Sequence, residues 1–224
     1  TLFNKCNLSI NKIIFKSFTE GIKVIQKDKK DTFIKININK NDSQLIFFYE
    51  SAFCFFQNFN FGSDIILKDI SKVCSLTISN VRDIIFGSNF NKLDENLYVD
   101  QKYFTENNFR KISLKHILEI SSARIDEMVN IIFNHNKSLN NFINNEINLY
   151  VNFEDKKIKN KFKDIFENSF KKTNLKFDNQ IDEDFFESIK ISGELLSKGW
   201  AKEAIPIVNK KKSWISRIFS GLFE

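Results

Sequence analysis

The sequence predicts an α/β fold. Short runs rich in Ile, Phe and Val lie at 33–38, 45–49 and 147–151, longer segments with apolar residues every three to four positions stand between them, and the two kinds interleave along the 224 residues. With 42% hydrophobic and 28% charged residues, the chain can bury the core of one substantial domain or two small ones.

Residues 6–27 read as a short helix and a strand with Gly21 between them. Phe33, Ile34, Ile36 and Ile38 make a strand, Asn39 to Ser43 a polar turn, and Leu45 to Tyr49 the antiparallel partner, with Ala52 to Phe56 continuing the sheet. Ser63 is the expected N-cap of a helix carrying Ile66, Ile70, Val73 and Cys74, and a second helix starts at Ser79 with Val81, Ile84 and Ile85. Residues 87–112 are irregular and mixed. Ser113 then opens the strongest helical pattern, with Leu114, Ile117, Leu118, Ile125, Met128, Val129, Ile132 and Phe133 on one face. Ile147 to Val151 forms another strand. Glu154 to Phe170 follows as a helix with Ile158, Phe162, Ile165 and Phe166 inward, and Asp182 to Lys198 is the last core helix, burying Phe185, Ile189 and Leu196. Gly199 to Lys212 holds the only proline, Pro206, has no periodic pattern and reads as a linker.

The final residues sort by chemistry when wound as a helix. Trp214, Ile215, Ile218, Phe219, Leu222 and Phe223 fill one half of the wheel, Ser213, Ser216, Arg217, Ser220, Gly221 and Glu224 the other, and Lys210, Lys211 and Lys212 stand before them. An aromatic apolar half with a basic approach suits a helix lying in an anionic membrane surface. A final helix docked on the protein's own core, or one recognising a groove on another protein, fits the same pattern. So short a helix is marginal alone, which makes it a weak, reversible anchor that gains strength when many copies are presented together.

Net charge is +6, but the basic residues are scattered among acidic ones and no stripe or nucleic-acid module is present, so nucleic acid is not an expected partner. Cys6, Cys54 and Cys74 are too few and too far apart for a disulfide framework or a zinc site, and a reducing interior fits them. No signal peptide is evident, and no apolar run is long enough to span a bilayer. The abundance of Phe, with 26 copies, beside many Ile, Lys and Asn reflects biased codon supply more than function. The chain begins at Thr1 with residues that read as the middle of a domain, so an amino-terminal part is expected before it.

Candidate chemistry is sparse. No two of Gly21, Gly62, Gly87, Gly193, Gly199 and Gly221 lie close enough to cradle a phosphate. His116 and His135 have no Cys or second His at ligand spacing and read as surface or core residues. The acidic Asp182, Glu183 and Asp184 suit a helix N-terminus on electrostatic grounds alone. No catalytic residue and no metal ligand is expected.

Three stretches carry a resemblance: Phe18-Thr-Glu-Gly-Ile-Lys-Val-Ile25, Gly62 to Lys72 with Lys68-Asp69-Ile70, and Ser122-Ala-Arg-Ile-Asp-Glu-Met-Val129. In this order, ahead of a linker and a basic amphipathic tail, they resemble the carboxy-terminal half of FtsA, the bacterial cell-division actin homologue, most of all its versions in AT-rich alphaproteobacteria. The resemblance implies the second half of an actin-like, Hsp70-type (ribonuclease H-like) ATPase fold over residues 1–198, with the family's smaller FtsZ-binding subdomain within about 64–145, a linker at 199–212 and a membrane-targeting helix at 213–224. It further implies a peripheral protein on the cytoplasmic side of the inner membrane at the division site. Its partners would be FtsZ, other divisome proteins, further copies of itself in filaments, and anionic lipids contacted by Lys210, Lys211, Lys212, Trp214, Ile215, Arg217, Ile218, Phe219, Leu222 and Phe223.

The departures matter as much. Where the family has Asp-x-Gly-x-Gly-Thr-Thr in a phosphate-binding hairpin, this chain reads Asn37-Ile-Asn39-Lys40-Asn41-Asp42-Ser43, with the Asp replaced and every glycine gone. Side chains at Asn39 and Asn41 would crowd the phosphates of ATP and Asp42 would repel them. The family's Gly-Gly turn for adenosine is also missing, since Asn152-Phe153-Glu154-Asp155 follows the later strand. The expectation is a protein that binds no ATP cofactor through the usual contacts and hydrolyses none. An actin-like ATPase with altered loops is the alternative.

Overall fold

The computed structural model describes residues 5–6, 10, 12–87, 97–104, 109–139, 142, 147–173, 175–178 and 185–199. At its centre is a five-stranded sheet built from β1 (Phe33–Ile38), β2 (Ser43–Tyr49), β3 (Ala52–Phe59), β4 (Ile147–Phe153) and β5 (Leu175–Asp178), in the order β3-β2-β1-β4-β5. The first three strands form an antiparallel meander, and β4 and β5 add on parallel to β1. Every residue of β1 is buried because it is the central strand with both faces covered.

Alternation along the strands divides the core. Ile34, Ile36 and Ile38 of β1, Leu45 and Phe47 of β2, and Leu149 and Val151 of β4 point to one face. Against them pack α2 (Asp64–Cys74), α3 (Ile78–Phe86), α4 (Leu114–Val129), the π-turn Asn130–Asn134, α5 (Lys156–Lys161) and α6 (Lys163–Lys171). Phe33, Ile46, Phe48 and Tyr150 point to the other face, which is covered by α1 (Lys16–Asp28) and α7 (Phe185–Lys198) through Ile22, Val24 and Ile191.

Several expectations are corrected. Gly21 does not separate a helix from a strand; it lies inside α1, where a Cβ would overlap the ring of Phe48. The glycine serves close helix-to-sheet approach and not a turn. β3 runs on to Phe59, and β2 and β3 are joined by Glu50 and Ser51, both in the left-handed region at φ 48° and 65°, as a two-residue primed turn demands. α3 starts at Ile78, one residue before the expected Ser79, and is capped by Thr77, which accepts from the Asn80 amide, whereas Ser113 caps α4 through the His116 amide. Val73 is exposed. The helix expected over Glu154 to Phe170 is two helices, broken at the buried Phe162, and Asp155 caps the first. β5 is a further strand, beyond those expected from the sequence. Among the described side chains of α7 the buried one is Ile191, while Ile189 is 53% exposed and Leu196 half-buried.

The linker beyond Gly199, the acidic Asp182 to Asp184 and the whole terminal segment with its ten expected membrane-binding residues lie outside the described residues. No helix among the described residues is long and apolar enough to cross a membrane.

Candidate functional site at the first hairpin

The β1–β2 turn stands over an open, mostly polar cavity of about 650 Å³ at the carboxyl ends of β1 and β4. Its walls include Asn37, Asn39, Asp42 and Gln44 from the hairpin, Asn152 and Glu154 from the end of β4, and Lys16 and Lys156 from the starts of α1 and α5. The fold therefore brings together the two stretches whose glycines the sequence lacks.

The turn is held by its own side chains. Asn39 N–H donates to the Asp42 carbonyl at 2.9 Å, and Asp42 Oδ2 accepts from Asn39 Nδ2 at 3.0 Å and Gln44 Nε2 at 3.1 Å. The Lys40 amide, at the tip, donates to Glu154 Oε2 at 2.8 Å, while the Glu154 amide donates to the Ile38 carbonyl at 3.0 Å. A phosphate-binding hairpin needs backbone N–H groups open to an anion and free of crowding side chains. Here the tip amide is occupied by a carboxylate from the neighbouring strand end, and a second carboxylate sits in the same wall.

Gly62 explains the turn's position from behind. A Cβ there would strike the Asn39 carbonyl and the Lys40 backbone, so only glycine lets the chain pass so close. The contact also satisfies the first donors of α2: Ser63 N–H donates to the Asn39 carbonyl at 2.8 Å and Asp64 N–H to the Lys40 carbonyl at 2.9 Å. Ser63 occupies the expected cap position, but its side chain makes no capping bond.

Beneath the turn lies a buried ionic cluster. Glu20 Oε2 accepts from Lys35 Nζ and from Asn37 Nδ2, each at 2.8 Å, and Lys16 approaches Oε1 at 3.3 Å. Burial works to raise the Glu20 pKa, but the charge of Lys35 and the hydrogen bonds from Lys35 and Asn37 outweigh it and hold the carboxyl below its usual range. Asn37 Oδ1 is buried with no hydrogen-bond partner among the described residues.

Of the six hairpin residues singled out from the sequence, Asn37, Asn39 and Asp42 line the cavity, Lys40 contributes its amide to Glu154, and Ser43 is buried with its hydroxyl on the Phe61 carbonyl at 2.8 Å. Asn41 is exposed and takes no part in the cavity wall. Glu154 was marked in the sequence only by an absent glycine pair, and Glu20 only as a motif position; pairing across 114 and 15 residues is invisible to local patterns. His116 and His135 are both exposed, and no cluster of His, Cys, Asp or Glu fit for a metal occurs among the described residues.

The three resembling stretches prove to be structural joints. Glu20 and Gly21 seat α1 on the sheet, Gly62 seats α2 on the turn, and Asp69 of α2 pairs with Arg124 of α4, which also holds Glu127 at 2.7 Å.

The mixed sheet, with its antiparallel meander, parallel extension and helices on both faces, bears out the α/β class read from the sequence. No family model and no curated protein matches the chain. Among solved structures it is similar to ethanolamine utilization protein EutJ from Carboxydothermus hydrogenoformans, at 8% identity and TM-score 0.46 over 79% of this chain and 53% of that one. It is also similar to a chain of the PilM-PilN type IV pilus biogenesis complex, at 10% identity and TM-score 0.48 over 85% and 51%, and to MreB 5 of Spiroplasma citri bound to AMPPNP, at 14% and 0.40 over 92% and 60%. The chain thus spans between 51% and 60% of the lengths of these three structures.

Proposed function

We propose that this chain belongs to a membrane-tethered scaffold of the bacterial division machinery, resembling FtsA, that works without binding or hydrolysing ATP. Its actin-like body associates with FtsZ, with copies of itself and with other divisome proteins on the cytoplasmic face of the inner membrane. Residues 213–224, entered through Lys210 to Lys212, hold it at anionic lipid.

The observation that carries the ATP-independent reading is the occupied turn. The Lys40 amide is bonded to Glu154, and Asp42 stands beside it in the same wall, so a triphosphate entering here would have to displace one carboxylate and would be repelled by both. Titration with a fluorescent ATP analogue should give no saturation in the micromolar range; saturable micromolar binding would overturn the reading. The tether has its own test. Removing residues 210–224 should abolish sedimentation with anionic liposomes, and unchanged sedimentation would refute it.

A further inference from the structure

The two edges of the sheet differ in a way the tether and the cavity do not explain. Open edges are ordinarily shortened, charged or covered, because a row of unpaired N–H and C=O groups is a template for another strand. β5 follows that rule: it has four residues, two of them charged, Lys176 and Asp178. β3 does not. It has eight residues, Ala-Phe-Cys-Phe-Phe-Gln-Asn-Phe, without charge, proline or glycine. Its backbone pairs with β2 alone among the described residues, and its other side carries only a side-chain bond from Asn136 Nδ2 to Gln57 Oε1 at 2.8 Å. A register shift between Phe47 and Phe48 leaves Phe55 to Phe59 as a regular run. Beside it, Phe15 sets its ring edge-on to Phe53 and Phe56 at 5.7 and 5.3 Å while remaining 48% exposed, and Phe56 is 36% exposed.

We propose that β3 pairs antiparallel with β3 of a second copy across a two-fold axis, joining two sheets into one. Charge selects the occupant: a two-fold sets each strand against itself, so a charge near the axis would meet its own like, and a strand with no charge anywhere along it admits such pairing wherever the axis falls. An unrelated extended peptide would impose no such condition. The axis also leaves Phe15 and Phe56 of both copies on one face and next to each other, withdrawing an exposed aromatic strip from water. The pairing consumes the β3 edge, so this contact joins two chains and no more.

Sedimentation velocity of the complete chain across a range of concentrations, without lipid, is paired with amide hydrogen exchange resolved over β3. A reversible dimer is expected, with the outward amides of Phe55 to Phe59 slowed at dimer concentrations and not at monomer concentrations. Phe56→Lys should weaken the dimer by at least about tenfold. Asn58→Lys, at an exposed position and so with the fold undisturbed, should do the same. A chain monomeric at every concentration, a dimer or larger assembly whose β3 amides exchange as in the monomer, or protection that appears only on adding an extended peptide would each overturn the proposal. Because lipid is absent, the outcome is independent of the tether.

Discussion

The two faces of the sheet are built on opposite principles. Ile34, Ile36 and Ile38 send only hydrocarbon toward α2, α4 and α6, and ion pairs on that side, such as Asp69 with Arg124, Asp64 with Arg82 and Asp126 with Lys172, join the helices to one another and leave the sheet face apolar. One residue out of step, Phe33, Lys35 and Asn37 face α1, and two of the three are polar. Lys35 and Glu20 are 5% and 6% exposed at their side chains, an ion pair within the core. The apolar face can tolerate a lost methylene; the ionic face cannot tolerate a lost partner. It is also the face whose hydrogen bonds reach the base of the β1–β2 turn, so the cavity above is tied to the charges below.

Removing one member of the ionic pair should therefore have the largest effect. Lys35→Met leaves the Glu20 carboxylate buried with only the exposed Lys16 as a cation and should cost about 3 kcal/mol in urea unfolding. The adjacent Ile36→Val, on the apolar face, should cost about 0.5 to 1.5 kcal/mol. Combining Lys35→Met with Glu20→Gln should recover most of the loss, since the uncompensated charge is then gone. Equal costs for Lys35→Met and Ile36→Val would erase the distinction between the faces.

Two glycines in the helices over the ionic face sharpen it next. Gly21→Ala should gain about 1 kcal/mol of helix propensity, yet the methyl would meet the Phe48 ring, which is fully buried and stacked on Phe33 at 5.1 Å and so has no room to retreat. A net loss of about 1 to 3 kcal/mol is expected. Gly193 of α7 has nothing within 4 Å of a built Cβ. Gly193→Ala should stabilise by about 0.4 to 1 kcal/mol, read as a raised melting temperature.

These residues also show what was legible in advance. β1, β2 and α4 declare themselves because their patterns are local: alternating or continuous apolar residues, a polar turn, a serine cap. Gly21 misled because glycine is ordinarily punctuation, and the Phe48 ring that demands it lies 27 residues away. β5 is a strand only because β4 is there to pair with it; Leu-Lys-Phe-Asp alone carries no signal. Ile189 and Ile191 are both apolar on one helix, and which is buried depends on where α1 lies. The bonds that fill the turn were not legible, because Glu154 reaches Lys40 from another strand end.

Acid should separate the two kinds of carboxylate, with the smallest effect on the outer one. Asp126 of α4 accepts from Ser169 at 2.6 Å and Lys172 at 2.8 Å; its partial burial raises its pKa, and those two hydrogen bonds with the Lys172 charge overcome this and lower it. Glu20 is lowered as well, against a larger share of burial. For both groups the folded pKa lies below the unfolded one, so the stabilisation is complete above the unfolded value and disappears as pH falls through the folded value. Stability should therefore decline on acidification below the ordinary carboxylate range. Glu20→Gln should flatten that decline, while Asp126→Asn should change it little and cost under about 1 kcal/mol at neutral pH, because a half-exposed pair is screened by water. Unfolding curves for the two variants between neutral and acid pH would decide it: a steeper acid dependence lost with Asp126→Asn than with Glu20→Gln would move the pH-sensitive charge from beneath the turn to the outer helices.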